Sequence, residues 1–177
     1  MELGLLALRV VVGLLFVGHG SQKLFGSFGG HGIEGTGNFF ESLGMRPGRR
    51  NALAAGVAEA LGGALLALGL LTPLAAALLI AVMVVAIVTV HAPKGIWSTE
   101  GGYEYNLVLA TAAFAVACTG AGRYSLDNAL NLGLHGEGWG LAALAAGVLG
   151  GLGAVGASRL AQRGDRRRAT DGRPHPA

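Results

Sequence analysis

The sequence predicts an all-α protein: a polytopic membrane four-helix bundle with a fifth, C-terminal transmembrane helix. Three observations predict it. Only 13% of the 177 residues are charged, against about 25% in soluble domains, while 52% are apolar. That leaves too little polar surface to cover a water-exposed domain, and the high hydropathy excludes a disordered chain. The mean hydropathy is +0.55 and the apolar residues fall into runs long enough to cross a bilayer. The basic residues lie between and after those runs, an arrangement that orients membrane helices and gives no nucleic-acid footprint.

A spanning helix needs about 20 mostly apolar residues, and five stretches qualify. The first, 3–25, carries Arg9 and His19. It has no basic leading segment and no small-x-small cleavage site, so it reads as a permanent helix and not a signal peptide. The second, 51–71, contains Glu59 and ends at Thr72-Pro73, a turn with proline placed to start the next helix. The third, 74–91, is the most uniformly apolar and ends on His91. The fourth, 105–120, is short, and the fifth, 139–160, is built largely from alanine and glycine. Residues 1–160 thus form one transmembrane domain, and 161–177 are expected to be a disordered basic tail.

Charge fixes the orientation and checks the count. With five spans, one side holds eleven of the thirteen basic residues: Lys23, Arg46, Arg49, Arg50, Lys94 and the six arginines from Arg159 onward. The other side holds Arg123 alone. By the positive-inside rule the N-terminus is outside a plasma membrane and the tail is cytoplasmic, whereas four spans would put the arginine tail against the charge of the other loops.

Two connections are long. In the first, the run Gly29-Gly30-His31-Gly32 lacks the strand–loop–helix setting and the lysine of a phosphate cradle. Residues 36–43 then suit a short helix, with Phe39, Phe40 and Leu43 on one side, lying in the interface or tucked against the bundle. In the second, Ser125 suits an N-cap.

Ionisable residues inside a span are costly and each marks a candidate site. His19 lies roughly 24 Å from the outer end of its helix, and Glu59, on a helix running the other way, about 20 Å from the same surface. Gln22, Lys23, His91 and Asn106 fall at or below that level, so residues from four spans are expected to line one polar pocket, with His19 and Glu59 coupled. Glu59 is then either a proton-handling or ligand-binding carboxylate, or an ion-paired one that holds helices together. Arg9, Arg123 and Asp127 are structural polar residues, Arg9 suited to anchor outward at the interface. No residue is assigned a catalytic role, and no metal-ligating cluster is evident. Cys118, the single cysteine, excludes an internal disulfide or CxxC motif and reads as a small buried hydrophobe, or a thiol open to a mixed disulfide with a partner. Gly147 and Gly151 form a GxxxG pair, a weak pointer to a homo-oligomer.

Residues 8–13 (LRVVVG) and 18–26 (GHGSQKLFG) resemble the opening of DoxX family membrane proteins. Glu59-Ala60-Leu61-Gly62-Gly63, then Leu68-Gly69-Leu70-Leu71-Thr72-Pro73, are similar to its second segment, and Thr119-Gly120-Ala121-Gly122-Arg123-Tyr124-Ser125-Leu126-Asp127 to its closing signature. The resemblance covers about residues 4–130. It implies a four-helix membrane fold related to the membrane subunit of thiosulfate:quinone oxidoreductases, and a link to membrane redox assemblies and to oxidative or thiol stress. The fifth span and the basic tail depart from that pattern. Without a dithiol, a haem-ligand pair or a dinucleotide fingerprint in the chain, such chemistry implies a quinone in the pocket or a redox partner protein. The residues themselves leave two other readings open: a non-catalytic membrane scaffold, and a small-solute or proton-coupled transporter. The latter is disfavoured by the lack of an inverted repeat.

Overall fold

The computed structural model of the chain describes residues 2–170, with side chains to residue 164. The described residues are helical throughout their regular structure. Helix α1 spans Glu2–Phe25, α2 Gly32–Ser42, α3 Gly48–Leu68, α4 Thr72–Ala86, α5 Glu104–Thr119, α6 Leu126–Ala129 and α7 Glu137–Thr170. By length and composition four of them are able to cross a membrane: Glu2–Phe25, Gly48–Leu68, the α4 region Thr72–Lys94, and Glu137–Gly164. At 16 residues α5 is a shorter apolar helix, and it packs against both α4 and α7. Large apolar side chains such as Leu14, Leu53, Val108 and Leu149 stay exposed on the outside of the bundle, as lipid-facing residues do.

Two kinds of contact hold the bundle. The centre is Phe16, Leu66, Leu79, Ile80, Leu109 and Val116, all buried and drawn from α1, α3, α4 and α5. Elsewhere glycine lets backbones meet, the usual route to tight association where lipid removes the hydrophobic drive between helices. A Cβ at Gly13 would come within 2.5 Å of the Gly63 carbonyl, and one at Gly20 within 2.7 Å of the Gly56 carbonyl, so α1 and α3 touch along two glycine pairs. The Gly147–Gly151 pair, expected to favour a homo-oligomer, is occupied inside the chain. A Cβ at either would meet an α4 carbonyl, that of Ala77 at 2.9 Å or of Ala81 at 2.7 Å.

Several boundaries differ from those expected. Helix α7 does not stop at 160: it continues to Thr170 through the start of the expected disordered tail, while 171–177 lie outside the described residues. The short helix after the first span begins at Gly32 and docks on α3, burying Phe40 with Met45 and Ala52 and leaving Phe39 half exposed. Glu41 accepts a hydrogen bond from the Gly48 amide at 3.1 Å and so satisfies one orphan donor at the start of α3. The third span does not end as an α-helix. Its last turn, Ile87–His91, widens into a π-helix, followed by a 3-10 turn over Ala92–Lys94.

Contacts at the helix ends define two opposite faces. On one, Glu2 accepts a hydrogen bond from the Arg123 amide, joining the start of α1 to the α5–α6 connection. On the other, Ser158 of α7 donates to Asn51 of α3 at 3.1 Å, and Gln162 lies against Gly44. The start of α1 and the far end of α7 are therefore at opposite faces of the bundle.

Candidate functional site

A cavity of about 400 Å³ lies between α2, α3, α4 and α7, toward the face that carries the end of α1. Its walls are mostly apolar, with Phe39, Phe40, Met45, Val82 and Val85 among them, and Gly150, Gly151 and Ala154 leave α7 without bulk there. Lys23, Glu59, Asn51, Thr89 and His91 bring polarity to it.

The polar centre is an ion pair between α1 and α3. Lys23 Nζ donates to Glu59 Oε1 at 2.9 Å and sits 2.7 Å from Oε2. Both carboxylate oxygens thus face the ammonium, and Oε2 is buried with no other polar partner among the described residues. Glu59 is 3% exposed whereas the lysine side chain is 25% exposed, so the carboxylate belongs to the interior and the ammonium reaches its edge. Attraction across a low-dielectric wall offsets part of the desolvation of both groups.

The π turn shapes the opposite wall. Widening the helix by one residue re-aims Thr89, Val90 and His91, all three of which line the cavity. Thr89 donates to the Val85 carbonyl at 2.7 Å, which satisfies its hydroxyl internally. His91 Nδ1 lies 2.7 Å from the Gly101 carbonyl oxygen. A carbonyl only accepts, so Nδ1 carries the proton and Nε2 of the neutral ring is an acceptor.

Of the six residues expected in one pocket, Lys23, Glu59 and His91 line this cavity and the other three do not. His19, expected to meet Glu59, is exposed on the outside of α1, where Nδ1 lies 3.1 Å from Gln22 Oε1. Gln22 in turn donates to the Phe28 carbonyl at 3.3 Å, fixing the turn after α1. Asn106 is buried on α5 and donates to the Met83 sulfur at 3.5 Å. Sequence reasoning did not single out Phe39, Phe40, Met45, Asn51 and Thr89 as cavity residues. Only the aromatic pair carried a signal, its place on one side of a short helix.

A second polar cluster stands at the opposite face. Asp127 Oδ1 accepts from the Leu71 amide at 2.7 Å, and Oδ2 from the Thr72 amide at 3.0 Å and from the Thr72 hydroxyl. It thereby caps α4 with a full negative charge at the positive end of the helix dipole. Leu71 is held at φ 48, a left-handed conformation costly for a branched side chain, and the Asp127 bond fixes it there. Arg9 does not extend outward to the interface as expected. It is fully buried and donates to the carbonyls of Ala67 and Tyr124. Those two carbonyls need a donor where α3 ends and where the loop before α6 turns, so the arginine is drawn inward. Gly69, left-handed at φ 62, has no Cβ because the Arg9 guanidinium occupies that space. Ser125 accepts from the Asn128 amide at 3.2 Å as the N-cap of α6, while the Arg123 side chain is exposed. Cys118 is half-buried, packed on Gly140 of α7.

Comparison with known proteins agrees with this architecture. The profile of the DoxX family matches residues 4–92. A protein of Bacillus subtilis (strain 168) named "Putative oxidoreductase CatD" is 32% identical over 126 residues, covering 71% of this chain and 86% of its own length. No solved structure matches the chain. The matched segment holds α1 to α4, and with them Lys23, Glu59, His91 and the buried Arg9. The chain belongs to the DoxX family.

Proposed function

We propose that the chain is the plasma-membrane subunit of a redox assembly, and that its cavity receives the head group of a quinone whose electrons come from a partner protein. The observation that carries this reading is the Lys23–Glu59 pair set in the wall of an otherwise apolar cavity. A volume of about 400 Å³ falls within the range of small-molecule sites, which are mostly apolar with a few convergent polar groups. The name borne by the Bacillus subtilis relative supports an oxidoreductase role.

A bound quinone supplies a two-electron, two-proton acceptor. The protein's part is binding and proton handling. Phe39, Phe40 and Met45 exclude water and give a ring an apolar face. Lys23 places a positive charge where a ring oxygen gains electron density. Reduction of the ring consumes two protons, so each acceptor must first be loaded from the solvent side: Glu59 would take up and pass on one proton, and His91, protonated at Nε2, would pass on the other from the far wall. Lys23, partly exposed, connects Glu59 to the face from which protons arrive.

The test is extraction of the full chain in mild detergent and mass spectrometry of the lipid-soluble molecules that travel with it. Quinone is expected at near-stoichiometric amount with the wild type and several-fold lower with E59Q. Absence of quinone from both, or equal amounts in both, overturns the proposal. A scaffold whose ion pair only joins helices gives a different result: E59Q fails to accumulate in the membrane.

A further inference from the structure

A cleft of about 220 Å³ lies between the α2–α3 connection and the last turns of α7, lined by Leu43, Gly44, Arg159, Gln162 and Arg163. The two arginines are four residues apart, so their side chains share one face of the helix. Gly44 faces them without a side chain, and the Gln162 amide lies 3.2–3.3 Å from where its Cβ would be. The Ser158–Asn51 hydrogen bond ties α7 to α3 one turn away, so the cleft stands between fixed walls. Among the described residues the ion pairs are Lys23–Glu59 and Arg49–Glu34, and neither engages Arg159 or Arg163. Arg46 on the same connection and Arg50 in the first turn of α3, both exposed, raise the positive potential around it.

We propose that this cleft binds the phosphodiester group of an anionic phospholipid. Two guanidinium groups on one face offer forked donors that match phosphate oxygens. A soluble phosphate shares that chemistry, but position favours the lipid. The apolar run of α7 ends at about Leu160, which places both arginines at the end of the apolar stretch, at head-group level. Leu43 supplies an apolar edge beside them for the first methylenes of a chain. A zwitterionic head group brings its own ammonium into the same positive field and is disfavoured. The site is independent of the cavity at Glu59, so either proposal can fail alone.

The experiment is native mass spectrometry of the delipidated full chain in detergent, offered equal amounts of phosphatidylglycerol and phosphatidylcholine. Phosphatidylglycerol is expected to be retained over phosphatidylcholine by roughly 30-fold, the scale of two basic side chains near an anionic surface. R159Q/R163Q should abolish the preference, R159K/R163K should weaken it because lysine keeps the charge without the fork, and R123Q, at the opposite face, should leave it unchanged. Equal retention of both lipids by the wild type overturns the proposal, as does a preference that survives R159Q/R163Q or is undiminished in R159K/R163K. Displacement of the lipid by inorganic phosphate at similar concentration assigns the cleft to a soluble anion and equally overturns it.

Discussion

Lys23 and Glu59 are the residues whose substitution separates stability from function most cleanly. Removing the lysine strands a buried carboxylate, which typically costs about 3–5 kcal/mol, whereas removing both charges removes the liability as well. K23M is therefore expected to lower thermal stability in detergent markedly and K23M/E59L to recover much of the loss, with a non-additive term of roughly 0.5–3 kcal/mol. H19L and E59L should show a smaller non-additive term than the Lys23 pair, because His19 is exposed and bonds Gln22 and makes no hydrogen bond to Glu59. The reason Lys23 takes the place expected for His19 is directional. Helical side chains lean toward the N-terminus of their helix, so on antiparallel α1 and α3 the side chains of Lys23 and Glu59 lean toward each other. Matching Cα depths alone pairs Glu59 with a residue about one turn too early. At the opposite face, D127A removes the acceptor for two amides and a hydroxyl that stay buried. A loss of about 1–3 kcal/mol per stranded donor is the relevant scale, so D127A should unfold at a clearly lower temperature than T72V, which loses one donor.

At the scale of elements, the helices were legible because a membrane leaves a chain few choices: apolar length and loop charge are direct consequences of backbone satisfaction in lipid. The rotation of each helix was not, since lipid-facing and core-facing positions are both apolar and no amphipathic stripe distinguishes them. That is why Asn106, on an expected span at the expected level, is buried against Met83 outside the cavity. The π turn at Ile87–His91 was equally hidden: no proline or glycine interrupts those residues. Glycine pairing was legible as a pattern but not as a partner. Gly151 faces the Ala81 carbonyl within the chain, so G151L forces α7 away from α4 and opens the cavity wall both line. Overpacking of this kind costs about 1–3 kcal/mol. G151L is expected to lower the unfolding temperature and any quinone retention together, with no change in oligomeric mass by light scattering. A shift in oligomeric mass would mean that Gly151 also meets a second copy.

For the whole molecule, the decisive quantity is the distribution of charge over two faces. The Glu2–Arg123 contact and the Gln162–Gly44 contact place the two ends of the chain at opposite faces, and basic residues concentrate at the face that carries the end of α7. By the positive-inside rule we propose that this face is the cytoplasmic one. The Lys23 ammonium, the edge of the cavity and the arginine cleft are then on the side where protons and a soluble redox partner are at hand. A phosphatase reporter fused after Arg168 should accordingly be inactive and a cytoplasmic reporter at the same position active. Truncation at Gly136, which removes α7, should invert both signals, because four crossings return the chain to the side of Arg123. A cytoplasmic signal from both fusions would show that α7 does not cross. The cavity wall formed by Gly150, Gly151 and Ala154 would then have to lie against the membrane surface, a position their close packing on the middle of α4 does not allow.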